Sequence, residues 1–230
     1  MNRAFLFPGQ GSQQIGMGKA LADAFASARE VFQEVDDALS QKLSHLMWEG
    51  PESDLLLTSN AQPAIMAASI AVVRVLEREG GMRISGQARL VAGHSLGEYS
   101  ALCAAGALSL ADTALLLKLR GQAMQAAVPL GEGAMAALLG ADLEMAEAAC
   151  AEASAESGIA VVANDNAPGQ VVISGNKPTV DRAGEIARAK GAKRALPLAV
   201  SAPFHCPLMQ PAADVMAEAL AVVTIRPLAI

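Results

Sequence analysis

Ser95 is the residue of this chain whose setting most plainly suggests chemistry. It lies in Gly93-His94-Ser95-Leu96-Gly97, directly after the apolar run Ala88 to Ala92 and before the helix-compatible stretch Glu98 to Ala105. That order is strand, sharp turn, helix. Such a turn lifts a serine hydroxyl out of the backbone and sets it over a helix N-terminus, where orphan N–H groups can hold an oxyanion. Glycines at 93 and 97 remove side chains that would collide where strand and helix approach. The competing reading is a tight turn in which Ser95 only caps a helix. A serine also needs a base within hydrogen-bond reach, and the chain has three histidines. His94 neighbours Ser95 in sequence, but successive strand side chains point to opposite sides, so a packing role is expected. His45 sits in a polar helical stretch near Trp48 and is expected at the surface. His205 follows a strand and precedes Cys206-Pro207. Its placement alone allows a structural histidine as well as a base. No acid is evidently poised to orient it; Asp214 and Asp165 are the available carboxylates.

Arg120 falls on the apolar side of a helix expected over 110–127. Positions 113, 116, 117, 120, 124 and 127 share one face, with Thr113, Leu116, Leu117, Met124 and Ala127. Lys118, Gln122 and Gln125 are expected on the opposite, polar side. A guanidinium on an apolar face is costly unless paired. It either forms a structural ion pair, with an acid such as Glu98, or offers a fork that binds a substrate carboxylate at two points. Gln10 lies in a glycine-flanked loop, Gly9-Gln10-Gly11, which by itself reads as an ordinary strand–helix turn. Gln62, Asn164 and Asn166 are pocket polars or simple caps and turn residues. Phe204 is a core aromatic or a pocket wall.

The elements that must position these residues read as follows. Arg3 to Phe7 is a buried strand ended by Pro8-Gly9. Helical periodicity fills most of 17–48. Pro63 is expected in the first turn of a second long helix, 64–79, ended by Gly80-Gly81. The strand at 88–92, the Ser95 turn and helices near 98–105 and 110–127 follow. Beyond Pro129 the pattern is strand 134–139, helix 143–155, strand 159–163, a turn over Asn164 to Gly169, strand 170–174, helix 178–190 and strand 194–200. This β-α-β-β-α-β order is ferredoxin-like and self-contained. A last helix spans 209–222, and 223–230 starts toward another strand. The expected class is α/β: an α/β-hydrolase-like main domain with a short parallel sheet and many helices (1–128 and 204–230), carrying an inserted ferredoxin-like subdomain (129–203).

Composition narrows the function classes. The chain has 230 residues, 53% hydrophobic, with one Trp and one Tyr, which suits small-residue helices around a parallel sheet. No apolar stretch reaches the length of a membrane span, and the N-terminal apolar run is too short for a signal peptide. Cys103, Cys150 and Cys206 match no disulfide framework and no zinc spacing; a reducing cytoplasm is expected. The net charge of −6 argues against nucleic acid as partner.

The longer string GHSLGEYSAL, Gly93 to Leu102, resembles the nucleophile motif of malonyl-CoA:acyl carrier protein transacylases and of the acyltransferase domains of fatty acid and polyketide synthases. Three further segments resemble that family in order and approximate spacing: Phe7-Pro8-Gly9-Gln10-Gly11-Ser12-Gln13, Arg120-Gly121-Gln122-Ala123-Met124-Gln125, and Ser201-Ala202-Pro203-Phe204-His205. The resemblance implies transfer of malonyl from malonyl-CoA to the phosphopantetheine thiol of acyl carrier protein, with no metal or redox cofactor. It implies Ser95 as nucleophile and His205 as base, a dyad whose histidine is held by a backbone carbonyl. Arg120 would bind the malonyl carboxylate, the N–H groups of Gln10 and Leu96 would form an oxyanion hole, and Phe204 would accompany malonyl preference. Members of the family continue well past the point matching Ile230, so the main subdomain is expected to lack further core strands and that carbonyl. Such a shortened chain is expected to be less stable and less active. An acidic carrier would need a basic patch, and Arg188, Lys190, Lys193 and Arg194 are the densest one. A serine hydrolase and a non-catalytic carrier-binding protein are the competing functions.

Overall fold

The computed structural model describes residues 3–200 and 202–230. It divides into two compact units, residues 1–122 with 216–230, and residues 123–215.

The first unit holds a parallel pair, β1 (Arg3–Phe7) and β2 (Ala88–Gly93), in register Leu6↔Ala92 and Phe7↔Gly93. Helices α1 (Lys19–Ala24), α2 (Ala26–Leu39), α3 (Leu43–Glu49), α4 (Glu52–Leu55), α5 (Thr58–Arg78) and α6 (Gly97–Ala104) follow. The unit also takes most of α7 (Leu110–Ala126) and the end of α10 (Gln210–Val222). The periodic stretch 17–48 is therefore three helices. It breaks at Ser40, which adopts a left-handed φ of 48°, and Asp36 ties the break by accepting from Ser44 N and Oγ.

The core forms around α5, whose Ala64, Ile65, Met66, Ala67 and Ile70 pack with Val31, Phe32 and Val35 of α2 and Ala114 and Leu117 of α7. Helix α5 is long and apolar enough to cross a bilayer, but 61% of its most apolar window is buried within the protein; it is a core helix. It also starts six residues before the expected Ala64, leaving Pro63 inside it. A proline inside a helix costs roughly 3 kcal/mol through a lost bond and a ring clash. Residues 60–67 are all buried, and that burial outweighs the local penalty. The tail 223–230 is irregular, not a strand; it is held by Arg226 N to Ala107 O and Ala229 N to Ala105 O.

The second unit contains β3 (Gly133–Leu139), α8 (Leu143–Glu156), β4 (Ala160–Ala167), β5 (Gln170–Asn176), α9 (Lys177–Ala189) and β6 (Arg194–Pro197). A 3₁₀ turn at Pro207–Met209 leads into α10. The sheet is antiparallel in the order β4-β5-β3-β6, the ferredoxin-like topology. Leu138, Val171 and Ile173 pack against Ala146 and Ala149 of α8 and Ala183 of α9. The unit is wider than 129–203 and includes His205.

One expected loop is a strand. Asn164-Asp165-Asn166 belongs to β4, and only Pro168-Gly169 turns, with Gly169 at φ 79°. Register shifts between Val162 and Asn164 and between Asp165 and Ala167 take up these polar residues. Border strands tolerate such bulges, because a ladder interrupted there breaks bonds on one side only. Strand β6 stops at Pro197, short of the expected Val200.

Candidate active site

Strand β2 delivers Ser95 into a turn that only close backbone approach can build. His94 N donates to Phe7 O at 3.0 Å, Gly97 N to His94 O at 2.9 Å and Glu98 N to Ser95 O at 3.1 Å. A Cβ on Gly93 would overlap the backbone of Gly97, and one on Gly97 would overlap the carbonyls of Phe7 and Pro8. With those approaches fixed, Ser95 is held at φ 53°, a left-handed conformation that costs a non-glycine residue about 1–3 kcal/mol. Among the described residues only Ser40, Ser95 and His205 are non-glycines with positive φ, so both predicted chemical residues are strained.

Leu96, 1% exposed, is the N-cap of α6. Its N–H stands outside the turn's own bonds, at a helix end where such donors serve anions. The loop carrying Gln10 lies directly on the turn. A Cβ on Gly9 would overlap His94 Nδ1 and lie 2.7 Å from His94 O, so His94 packs beside this loop, as expected of it. Gln10 Nε2 donates to Thr58 Oγ1 at 3.3 Å, which ties the loop to the start of α5.

Arg120 enters from α7. Nη1 donates to Gln62 Oε1 at 2.7 Å and Nη2 to Ser95 Oγ at 3.1 Å. The guanidinium carbon lies 5.7 Å from the centre of the Tyr99 ring, within reach of a cation–π contact. No ion pair to Glu98 or any other carboxylate forms among the described residues. Burial pulls the Arg120 guanidinium below the ordinary arginine value, with Tyr99 and Glu98 acting the other way; an arginine keeps its charge under such a shift. Burial also raises the Tyr99 hydroxyl. The helix face is as expected at Thr113, Leu116, Leu117 and Met124, all buried. Lys118 departs from it: it is half-buried and hydrogen-bonded to Gln41 and Asn60.

His205 belongs to the second unit. It is exposed, at φ 57°, in a turn closed by Cys206 Sγ donating to Pro203 O at 3.0 Å and Phe204 N to Ala202 O at 3.0 Å. Phe204, 7% exposed, packs with Met124, Met135 and Met209. Ser201, the first residue of this motif, lies outside the described residues. Asp214 accepts from Gln210 Nε2 at 2.7 Å. Among the described residues no three His, Cys, Asp or Glu side chains gather as metal ligands would.

The structure thus brings Ser95, Arg120 and Gln62 into one hydrogen-bonded group, with Leu96 and the Gln10 loop on the same turn. Sequence reasoning missed Tyr99 and Thr58 as neighbours. The only signal for Tyr99 was that the chain's single tyrosine sits in the first turn of the helix after the elbow.

A serine on a strand–turn–helix elbow, with a half-buried arginine bonded to its oxygen, is an arrangement suited to handling acidic acyl groups. The chain belongs to the acyl transferase domain family, which matches residues 4–230. The malonyl CoA-acyl carrier protein transacylase of Bacillus subtilis is 51% identical over 217 residues, covering 94% of this chain and 67% of that protein. The enzyme of the same name from Escherichia coli K12 is 49% identical over 221 residues, covering 96% and 70%. An acyl-carrier-protein-S-malonyltransferase from Bartonella henselae superposes with a TM-score of 0.96 at 57% identity, covering all of this chain and 73% of its own. A malonyl-transacylase in complex with its type II PKS acyl-carrier protein gives a TM-score of 0.95 at 46% identity, covering 100% and 73%.

Proposed function

We propose that this chain transfers malonyl from malonyl-CoA to the phosphopantetheine thiol of an acyl carrier protein through a malonyl-serine. The observation that carries the reading is Arg120: a half-buried cation with no carboxylate partner among the described residues, bonded to the nucleophile's oxygen. Malonyl supplies the missing carboxylate and acetyl does not. In this scheme Ser95 Oγ attacks the thioester carbon while His205 takes the hydroxyl proton. The N–H groups of Gln10 and Leu96 hold the oxyanion. The intermediate collapses, and CoA leaves as the thiolate, protonated by His205. The carrier thiol then attacks malonyl-Ser95, gives its proton to His205, and Ser95 leaves with that proton. This chemistry calls on no metal or redox cofactor. The names of the similar transacylases, and the carrier complex of one of them, support both substrates. Three free cysteines support a reducing, cytoplasmic setting.

Intact mass after incubation with malonyl-CoA tests the reading. The chain should gain one malonyl increment, Ser95→Ala should gain none, and a pantetheine thiol should discharge the adduct. Discharge by water at the same rate would make the chain a hydrolase. An adduct on Ser95→Ala would remove Ser95 from the mechanism.

A further inference from the structure

We propose that Lys118 is a positioning residue for Arg120: its ammonium ties α7 to the first turn of α5 and so fixes the rotation that brings Arg120 onto Gln62 and Ser95. The inference rests on the reading of Arg120 given above.

The two helices meet backbone to backbone. A Cβ on Gly121 would lie 2.5 Å from Ser59 Cα and 2.7 Å from Ser59 N. At Gly121 itself no α7 side chain enters the contact, while Ala114 and Leu117 pack in the core further along the helix. Polar bonds on the two sides of the contact fix the rotation of this turn of α7. On one side Arg120 Nη1 reaches Gln62 Oε1. On the other, Lys118 Nζ donates to Asn60 Oδ1 at 2.9 Å and to Gln41 Oε1 at 2.7 Å. Gln41 Nε2 donates to the same Asn60 oxygen at 3.1 Å, and Asn60 Nδ2 to Asp54 O at 2.8 Å. At about 100° per residue, 118 and 120 flank 121 on α7, and 60 and 62 flank 59 on α5.

The cluster is not a surface ion pair. Asn60 is 8% exposed, Lys118 is half-buried, and no carboxylate pairs with its ammonium among the described residues. Burial lowers the Lys118 amine below the ordinary lysine value. Partly desolvating an ammonium against amide oxygens alone is unfavourable compared with a neutral side chain. The placement returns geometry instead. A side-chain tip sits about 6 Å from a helix axis, so a roll of ~10° moves the guanidinium by about 1 Å. An error of that size at a binding group costs up to about 100-fold in rate.

The test compares Lys118→Met, Asn60→Leu, their double variant and Asn60→Asp, each loaded with malonyl-CoA and with acetyl-CoA. Lys118→Met and Asn60→Leu should each lower the malonyl-to-acetyl ratio of kcat/KM about tenfold through the malonyl KM. The double variant should be no worse than either single one, because one strap is cut in all three. Asn60→Asp, which keeps an acceptor for Lys118, should retain the ratio. A second readout needs no substrate. The ring NMR signals of the single tyrosine, Tyr99, should shift in Lys118→Met toward their positions in Arg120→Ala. Unmoved Tyr99 signals, or a melting temperature that falls while the ratio holds, would overturn the proposal. Failure of the unaltered chain to form malonyl-serine would instead sink the proposed function, and the Tyr99 signals would still decide the case for Lys118.

Discussion

Replacing Arg120 with alanine separates acid recognition from acyl transfer. Arg120 spends Nη1 on Gln62 and Nη2 on Ser95 Oγ. An incoming carboxylate takes over the Ser95 contact and adds a second bond along the fork. Each charge-assisted bond is worth about 1.5 kcal/mol or somewhat more. If the exchange at Nη2 is neutral, one bond is gained; if water had compensated Ser95 equally well, two are gained. The malonyl substrate therefore loses about 1.5–3 kcal/mol in Arg120→Ala, a fall of roughly tenfold to a hundredfold at 1.4 kcal/mol per decade. Acetyl has no group to lose, so its loading should hold or rise. The assay is pre-steady-state loading of Ser95 from each thioester, followed by mass. Arg120→Lys should recover part of the malonyl rate, because it restores the charge without the fork. A parallel fall for both acyl groups would refute the reasoning and make Arg120 a structural support of the serine.

Other perturbations probe other links. Gly121→Ala forces a methyl into the Ser59 backbone and should cost about 1–3 kcal/mol, read as a melting temperature lower by several degrees; an unchanged value would contradict the close approach. Charge reversal at Lys190 and Lys193 should raise the carrier KM, more at low salt than at high, and leave loading by malonyl-CoA unchanged. The effect at Lys190 should be the smaller, since it already pairs with Glu152 at 3.1 Å; a loss independent of salt would exclude this patch. Burial pushes the thiols of Cys103 and Cys150 up to about 11. Both therefore stay protonated near neutral pH and become reactive only as the pH climbs toward those values. Iodoacetamide at about pH 8 should modify Cys206 first, and early alkylation of Cys150 would show that its packing opens.

Much of the site was legible because it is local. The elbow from Ala88 to Leu102 is written in consecutive residues, and its glycines have a steric reason that spacing alone reveals. Arg120 could be singled out because an apolar helix face has one period and a charge on it stands out. What was not legible depended on other segments. Pro63 reads as a helix start, yet α5 begins six residues earlier, because burial of 60–67 is a tertiary fact. Lys118 reads as a solvated lysine, and only the arrival of Gln41 and Asn60 makes it a strap. Asn164 to Asn166 reads as a turn because these residues favour turns, and only pairing with β5 shows a bulged strand. The 223–230 segment has strand-like composition, but its bonds go to the loop after α6.

Among the described residues the sheet of the second unit has two unpaired borders, and neither invites company. A bare strand border is a row of unspent donors and acceptors that will pair with whatever extended chain it meets. Here β4 presents a row broken twice by its bulges, with asparagine and aspartate along it. On the far side β6 is four residues long and ends in proline, which has no N–H to offer. An unfolded segment or a second copy finds no continuous ladder on either side. Contacts made by this unit are thereby pushed toward side chains, whose charge and shape can discriminate between partners, and away from backbone pairing, which cannot. Changing Asn164 and Asn166 to valine would flatten that border, and the first symptom would be self-association, not lost activity.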